Sequence, residues 1–303
     1  MKICVIVNEH AGSEENTAAL RSAAKERSDV VWWVSREKGD GRELAIRAAG
    51  DGFDVVAAAG GDGTINEVVN GLMQPDPRPV LGVLPTGTGN DLARTLAAHS
   101  DDPHEAFDLL AAGERRPIDV MRMRSPEGEA YGINAATGGF SGQVGEALTA
   151  ELKASWGPMA YLIGAAGMLP DLKDYDTKLR LDGPDSMQVR ALNIVVANGR
   201  TVAGGKRVAP FANPEDGLFD VVVIRTGSAM ELADVAARLV AGKLKESGLV
   251  DTYRSRRVRV ESDPGMWFSL DGELTTNEPV EFDALPGALQ VVVGAEYRAI
   301  VEA

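Results

Sequence analysis

A chain of 303 residues with 44% hydrophobic and 25% charged residues has an ordinary globular balance, which excludes a disordered or fibrous protein, and its length corresponds to about two domains. Forty-five acidic against 31 basic residues leave a formal charge of -14, which argues against the broad basic face that duplex nucleic acid requires. The single cysteine, Cys4, lies in the apolar run 3–7 and cannot form an intramolecular disulfide, so it reads as a small buried hydrophobe of a reducing, cytoplasmic protein. No apolar run approaches the ~18 residues of a membrane span, and the first is too short and too soon charged for a signal peptide.

In chain order, residues 1–120 alternate apolar strand-like runs at 3–7, 30–34, 55–59 and 80–84 with helical patterns at 16–27, 42–49, 65–73 and 92–98. Strands that are apolar throughout, interleaved with helices, predict a doubly wound parallel α/β domain with helices on both faces. After residue 120 the pattern changes to strand runs at 120–124, 131–135, 178–181, 189–197, 218–224, 253–260, 266–270, 280–282 and 289–293, separated by Gly, Pro, Asp and Asn. Helical patterns at 144–154, 159–169 and 229–244 interrupt them. The second domain, 121–294, therefore reads as an antiparallel β-sandwich with helical insertions, with the tail 295–303 returning to the first domain.

Two loops carry the chemistry. After the run 55–59 come Gly60, Gly61, Asp62, Gly63, Thr64, Ile65, Asn66 and Glu67. Three glycines in four residues let a polyanion approach bare N–H groups, while the following helix aims its positive end at the same place. The spacing lacks the Gly-Lys-Ser/Thr of a Walker loop. The second loop, from Pro85 through Thr86, Gly87, Thr88 and Gly89 to Asn90 and Asp91, follows the run 80–84. Both loops fall at carboxyl ends of parallel strands, where open α/β sheets bind ligands. Further on, Asp271-Gly272-Glu273 places two carboxylates around a glycine. From the tripeptide alone a solvated hairpin turn is the simpler reading. The turn at 213–218 is likewise unremarkable by itself.

The pair GGDGTINEVVNGL (60–72) and PTGTGNDLART (85–95) resembles the diacylglycerol kinase catalytic domain family, the bacterial lipid kinases related to diacylglycerol, sphingosine and ceramide kinases. The resemblance continues through Asn134–Phe140, Lys153, Gly157, Tyr161, 196–199, Gly204-Gly205, 209–218 and 271–273, nearly the whole chain. It implies ATP-dependent phosphorylation of a lipid hydroxyl with Mg²⁺, the nucleotide on the α/β domain, the lipid on the sandwich and chemistry in the cleft. It further implies nucleotide contacts at Asn8, Ser35, Gly60, Gly61, Asp62, Gly63, Thr64, Asn66, Glu67 and Thr88. By the same resemblance Glu273 is the general base with Asp271 beside it, Asp62 is the competing base or a group of the Mg²⁺ network, and a structural Mg²⁺ is held by Asn213, Asp216 and the Leu218 carbonyl. Two departures stand out: Asn8-Glu9-His10-Ala11-Gly12 replaces the usual Asn-Pro-x-Ser-Gly, and Asn213 replaces the more frequent serine. An NAD kinase shares GGDGT but not the second loop, and a regulatory module without turnover would not need both loops and both acids.

The segment 156–169 could line a lipid entrance or form a buried helix. Arg254, Arg256, Arg257 and Arg259 alternate on a strand pattern that predicts a shared face for Arg254 and Arg256. Such a face would counter the net charge at an anionic membrane surface, giving the protein peripheral contact with the inner leaflet. The sequence leaves the oligomeric state open, a homodimer among the possibilities.

Overall fold

A computed structural model describes residues 1–8, 13–139, 174–277 and 279–300. Strands β1 (Ile3–Asn8), β2 (Val30–Ser35), β3 (Val55–Gly60) and β4 (Val80–Pro85) lie parallel in the order β4-β3-β1-β2. The continuous apolar character of β1, β3 and β4 follows from burial on both faces, whereas β2 is the edge strand and leaves Val31 exposed. Cys4, Ile6, Val56, Ala58, Leu81 and Val83 pack under α2 (Asp40–Gly50) and α3 (Asp62–Leu72). The alternate residues Ile3, Val5, Val7, Val55, Ala57 and Ala59 pack under α1 (Glu14–Lys25) and α5 (Pro103–Ala112). Cys4 is fully buried, and desolvation pushes its thiol up to about 12, so it is inert at neutral pH. The short helix α4 (Asp91–Thr95) follows the loop after β4. Helix α5 was not legible as a helix in the apolar pattern, although Asp102 caps it and Pro103 opens it.

The second region is antiparallel, formed by β5 (Glu114–Ser125), β6 (Gly128–Gly132), β7 (Ala135–Gly139), β8 (Tyr175–Leu181), β9 (Ser186–Ala197), the short pair β10 (Thr201–Val202) and β11 (Lys206–Arg207), and β12 (Phe219–Arg225). Helix α6 (Ala229–Val240) follows, then β13 (Val250–Ser255), β14 (Arg257–Asp263), β15 (Phe268–Leu270), β16 (Glu273–Thr276) and β17 (Val280–Val293). A core of Tyr175, Phe219, Phe268, Phe282 and their aliphatic neighbours fills it. The helical patterns at 144–154 and 159–169, like the segment 156–169, lie outside the described residues. Among the described residues no helix is long and apolar enough to cross a membrane.

Two long strands join the regions. The halves of β5 and β17 near Ile118, Val120, Leu289, Val291 and Val293 belong to the α/β core, and their other halves, with Met121, Met123, Phe282 and Ala284, belong to the sandwich. Val291 pairs in parallel with Leu81 of β4, so one sheet runs through both. The runs 280–282 and 289–293 are thus a single strand, bulged between Leu285 and Leu289 where Pro286 and Gly287 interrupt the ladder. Conversely, the run 253–260 is two strands. The Asp182 carboxylate accepts the N–H groups of Arg256 and Arg257 (2.9 and 2.8 Å) and breaks the pairing there. Tyr297, in the tail, packs into the α/β core.

Candidate active site

The order β4-β3-β1-β2 places the sheet's switch point between β1 and β3, where ligands enter open α/β sheets. Asn8 ends β1 and faces Ser35 at the end of β2, while Gly60 ends β3 and faces Pro85 at the end of β4. A cleft of about 350 Å³ opens there, lined by Asn8, Arg36, Glu37, Lys38, Gly61, Gly63, Thr64, Glu67 and Glu273.

The glycine loops approach each other closely. Thr86 and Gly87 both donate N–H bonds to the Gly60 carbonyl (3.0 and 3.3 Å). A Cβ on Gly87 would stand 2.6 Å from Gly61 Cα, so only glycine fits. Gly61 caps α3 with no side-chain partner, which leaves amides at that helix start to meet an anion. The Thr64 and Thr86 hydroxyls are buried with no hydrogen-bond partner, as expected of donors kept for a ligand. These features fit a nucleotide's phosphates. Thr88 stands exposed at the loop tip, and the Ser35 hydroxyl donates to the Glu37 carbonyl (3.4 Å).

Asp62 occupies the first turn of α3 and accepts the Asp91 N–H at the start of α4 (3.0 Å). Burial, then the neighbouring carboxylates of Asp91 and Asp271, push its carboxyl up to about 6. Asp91 itself accepts the N–H groups of Gly204 and Gly205 (2.9 and 2.7 Å), a link between the domains that the motif reading left unassigned.

Two of the expected phosphate residues are committed elsewhere. The Asn66 amide donates to the Tyr131 carbonyl (3.0 Å) and to Asp271 (3.2 Å), on the side of α3 that meets the sandwich. Glu67 accepts the N–H groups of Gly39 and Gly41 (2.8 and 3.0 Å), which fastens the β2–α2 turn to α3.

Asp271 and Gly272, at φ of 49° and 90°, form the two-residue turn of the β15–β16 hairpin. The turn is a hairpin but not a solvated one. Asp271 is buried and accepts N–H groups from Ile133, Asn134 and Ala135 (2.8, 2.9 and 2.9 Å); burial pushes its carboxyl up against these bonds. Its role is therefore positioning: it anchors the hairpin that carries Glu273. Glu273 Oε1 reaches to 3.1 Å from where a Cβ on Gly63 would stand, above the start of α3, and Oε2 meets Lys38 Nζ at 2.7 Å. Lys38 lies in a turn of mixed polar residues, and no motif marked it.

With this geometry, comparison with known proteins is direct. The family model of the diacylglycerol kinase catalytic domain matches residues 2–123, and that of the YegS C-terminal NAD kinase beta sandwich-like domain matches residues 134–293. A Bacillus subtilis (strain 168) protein named diacylglycerol kinase is 35% identical over 233 residues, 77% of this chain and 75% of that protein. The chain belongs to the diacylglycerol kinase family. A Staphylococcus saprophyticus protein of the same name is 31% identical over 75% of this chain and 73% of its own. The crystal structure of a diacylglycerol kinase from Bacillus anthracis str. Sterne superposes with a TM-score of 0.79 at 23% identity, covering 97% of each chain, which confirms the fold. A kinase family implies a nucleotide and a divalent metal.

In this member of the diacylglycerol kinase family the side-chain oxygens of Asn213 and Asp216 in the turn at 213–218 are engaged within the protein. Asn213 Oδ1 accepts the Glu215 N–H (3.2 Å), Asp216 Oδ1 accepts the Leu218 N–H (3.0 Å), and the other Asp216 oxygen holds the Arg254 guanidinium. Among the arginines, Arg257 pairs with Asp283 and Arg259 with Glu261, both at 2.7 Å. Arg254 holds Asp216, and Arg256 Nη2 stands 3.8 Å from where a Cβ on Gly217 would be, so the two reach the same turn although the strand breaks at Arg256.

The contact between glycine loops gives a test. Gly87→Ala is expected to force the loops apart, costing ~1–3 kcal/mol of stability as overpacking against backbone does and weakening nucleotide binding more than tenfold (roughly 1.4 kcal/mol per decade). Calorimetric melting and nucleotide titration measure both, and an unchanged dissociation constant would show that the loops do not jointly hold the ligand.

Proposed function

We propose that this protein is an ATP-dependent lipid kinase, transferring the γ-phosphoryl group of Mg²⁺·ATP to the hydroxyl of a diacylglycerol-like or sphingoid- or ceramide-like lipid at a membrane surface. The observation that carries the reading is Glu273: a carboxylate from the sandwich stands over the glycine-lined start of α3, on the opposite wall of one cleft. Phosphoryl transfer needs little else, namely alignment, charge stabilisation and an acceptor for the hydroxyl proton.

In this scheme the amides of Gly61 and Gly63 and the unpartnered hydroxyls of Thr64 and Thr86 hold phosphate oxygens. Asn8, Ser35 and Thr88, at the strand ends and loop tip, would meet the rest of the nucleotide, and Asp62 is the carboxylate that would hold the metal. The bound Mg²⁺ supplies charge neutralisation on the phosphates. Glu273 accepts the proton of the lipid hydroxyl as that oxygen bonds to phosphorus and the bond to the β-phosphate oxygen breaks. The protein's charge of -14 disfavours anionic surfaces at long range, so membrane contact has to be local.

The deciding experiment incubates the purified protein with γ-labelled ATP, Mg²⁺ and a total lipid extract, with NAD in a parallel reaction. Label in a lipid is the expected result. Label in NAD would favour an NAD kinase, and no label in either would favour a binding module without turnover.

A further inference from the structure

The turn that carries Lys38 is held unusually firmly for a surface loop. The Asp40 carboxylate accepts the N–H groups of Arg36 and Glu37 (2.9 and 3.0 Å), and Glu67 accepts those of Gly39 and Gly41. A Cβ on Gly41 would stand 2.6 Å from Glu67 Oε2 and 3.0 Å from Glu67 Cβ, so a side chain there would displace the carboxylate that holds the turn. Four backbone amides thus fix the turn to itself and to the helix that begins at the phosphate loop. From this fixed turn the Lys38 side chain crosses the cleft to Glu273 Oε2 at 2.7 Å.

That ion pair is exposed: the Lys38 side chain is 82% accessible and that of Glu273 45%. Exposed pairs contribute little to stability, so this one is a poor fold brace. It is, however, readily exchanged when a more highly charged anion arrives. Lys38 shares the cleft with Gly61, Gly63 and Thr64, the place a terminal phosphate enters if the kinase reading above holds.

We propose that Lys38 is a positioning cation with two partners: it holds the Glu273 carboxylate in the free enzyme and transfers to the terminal phosphate of the nucleotide when that binds. The exchange releases Glu273 to accept the acceptor hydroxyl's proton only after the donor is in place. A carboxylate oxygen occupied by an ammonium is not free to accept the hydroxyl's proton, so the handover couples nucleotide binding to the availability of the base. Lys38 acts as a point charge on a flexible stem, suited to such a move.

Calorimetric titration of the full chain with AMP-PNP and, separately, with AMP tests this apart from turnover. Lys38→Met is expected to weaken AMP-PNP roughly tenfold, the size of one charged hydrogen bond, and to leave AMP unchanged. Lys38→Arg should restore most of the loss. Glu273→Gln frees the lysine beforehand and should tighten AMP-PNP by about threefold, a gain expected to vanish when Lys38→Met is also present. Unchanged AMP-PNP affinity in Lys38→Met, equal losses for both nucleotides, or additive effects of the two substitutions would overturn the handover while leaving the kinase reading intact. A native protein that binds neither nucleotide would overturn the kinase reading, and this inference with it.

Discussion

Asp62→Asn is expected to remove most turnover while leaving the protein at least as stable as the native chain at pH 7. The loss of activity follows from charge: the amide keeps the shape of the carboxylate but withdraws a negative charge from the metal and phosphate network, and deleting one such electrostatic contributor typically costs 10²–10³ in rate. The gain in stability follows from linkage. Burial and two neighbouring carboxylates raise Asp62 from 3.8 to about 6, so the folded state binds this proton more tightly than the unfolded chain does. This group's contribution to stability is therefore fully present below pH ~4 and is lost as pH rises through about 6. At pH 7 the native protein carries an unfavourable buried charge worth up to ~3 kcal/mol, which the neutral amide avoids. Melting curves should accordingly show the variant above the native protein at pH 7, with the two converging towards pH 4, where Asp62 is protonated. A folded variant with near-normal kcat would remove Asp62 from the phosphate site, and a variant less stable than native at pH 7 would contradict the assigned charge state.

What the sequence made legible follows the range of the forces involved. The parallel strands were readable because burial on both faces writes itself into every residue of the runs at 3–7, 55–59 and 80–84. The glycine loops were readable because a close backbone approach excludes every Cβ, as at Gly87 against Gly61. Asp271 was misjudged by the local pattern because the groups that bury it, the amides of 133–135, lie 136 to 138 residues away in the chain. The arginine strand failed for the same reason: period-two alternation promises one strand, but Asp182, 74 and 75 residues upstream, takes the amides at the break. Lys38 left no trace, since a lysine in a polar turn is unexceptional until the fold brings Glu273, 235 residues away, across the cleft. Local chemistry named the parts of the site, and long-range pairing decided which parts face the cleft and which hold it together.

Glu273→Gln is expected to lower kcat by roughly 10²–10⁴, the usual contribution of a general base, without weakening the nucleotide dissociation constant. Geometry selects Glu273 over Asp62 for this role even though desolvation and neighbouring carboxylates push Asp62 up to about 6. One Asp62 oxygen is taken by the Asp91 amide at the junction of two helix starts, whereas Glu273, its side chain 45% accessible, stands at the mouth of the cleft on a hairpin anchored by Asp271. On the proposed lipid kinase reading, an acceptor hydroxyl entering by the cleft mouth meets Glu273 first. The pH profile separates the two acids further. Asp62 must be ionised to serve the metal, so kcat/KM should rise as pH increases through about 6 in the native protein, and that limb should persist, at a lower plateau, in Glu273→Gln while disappearing in the residual activity of Asp62→Asn. If Glu273→Gln instead keeps kcat and loses nucleotide affinity, Glu273 is a ligand of the nucleotide or its metal, and Asp62 becomes the base.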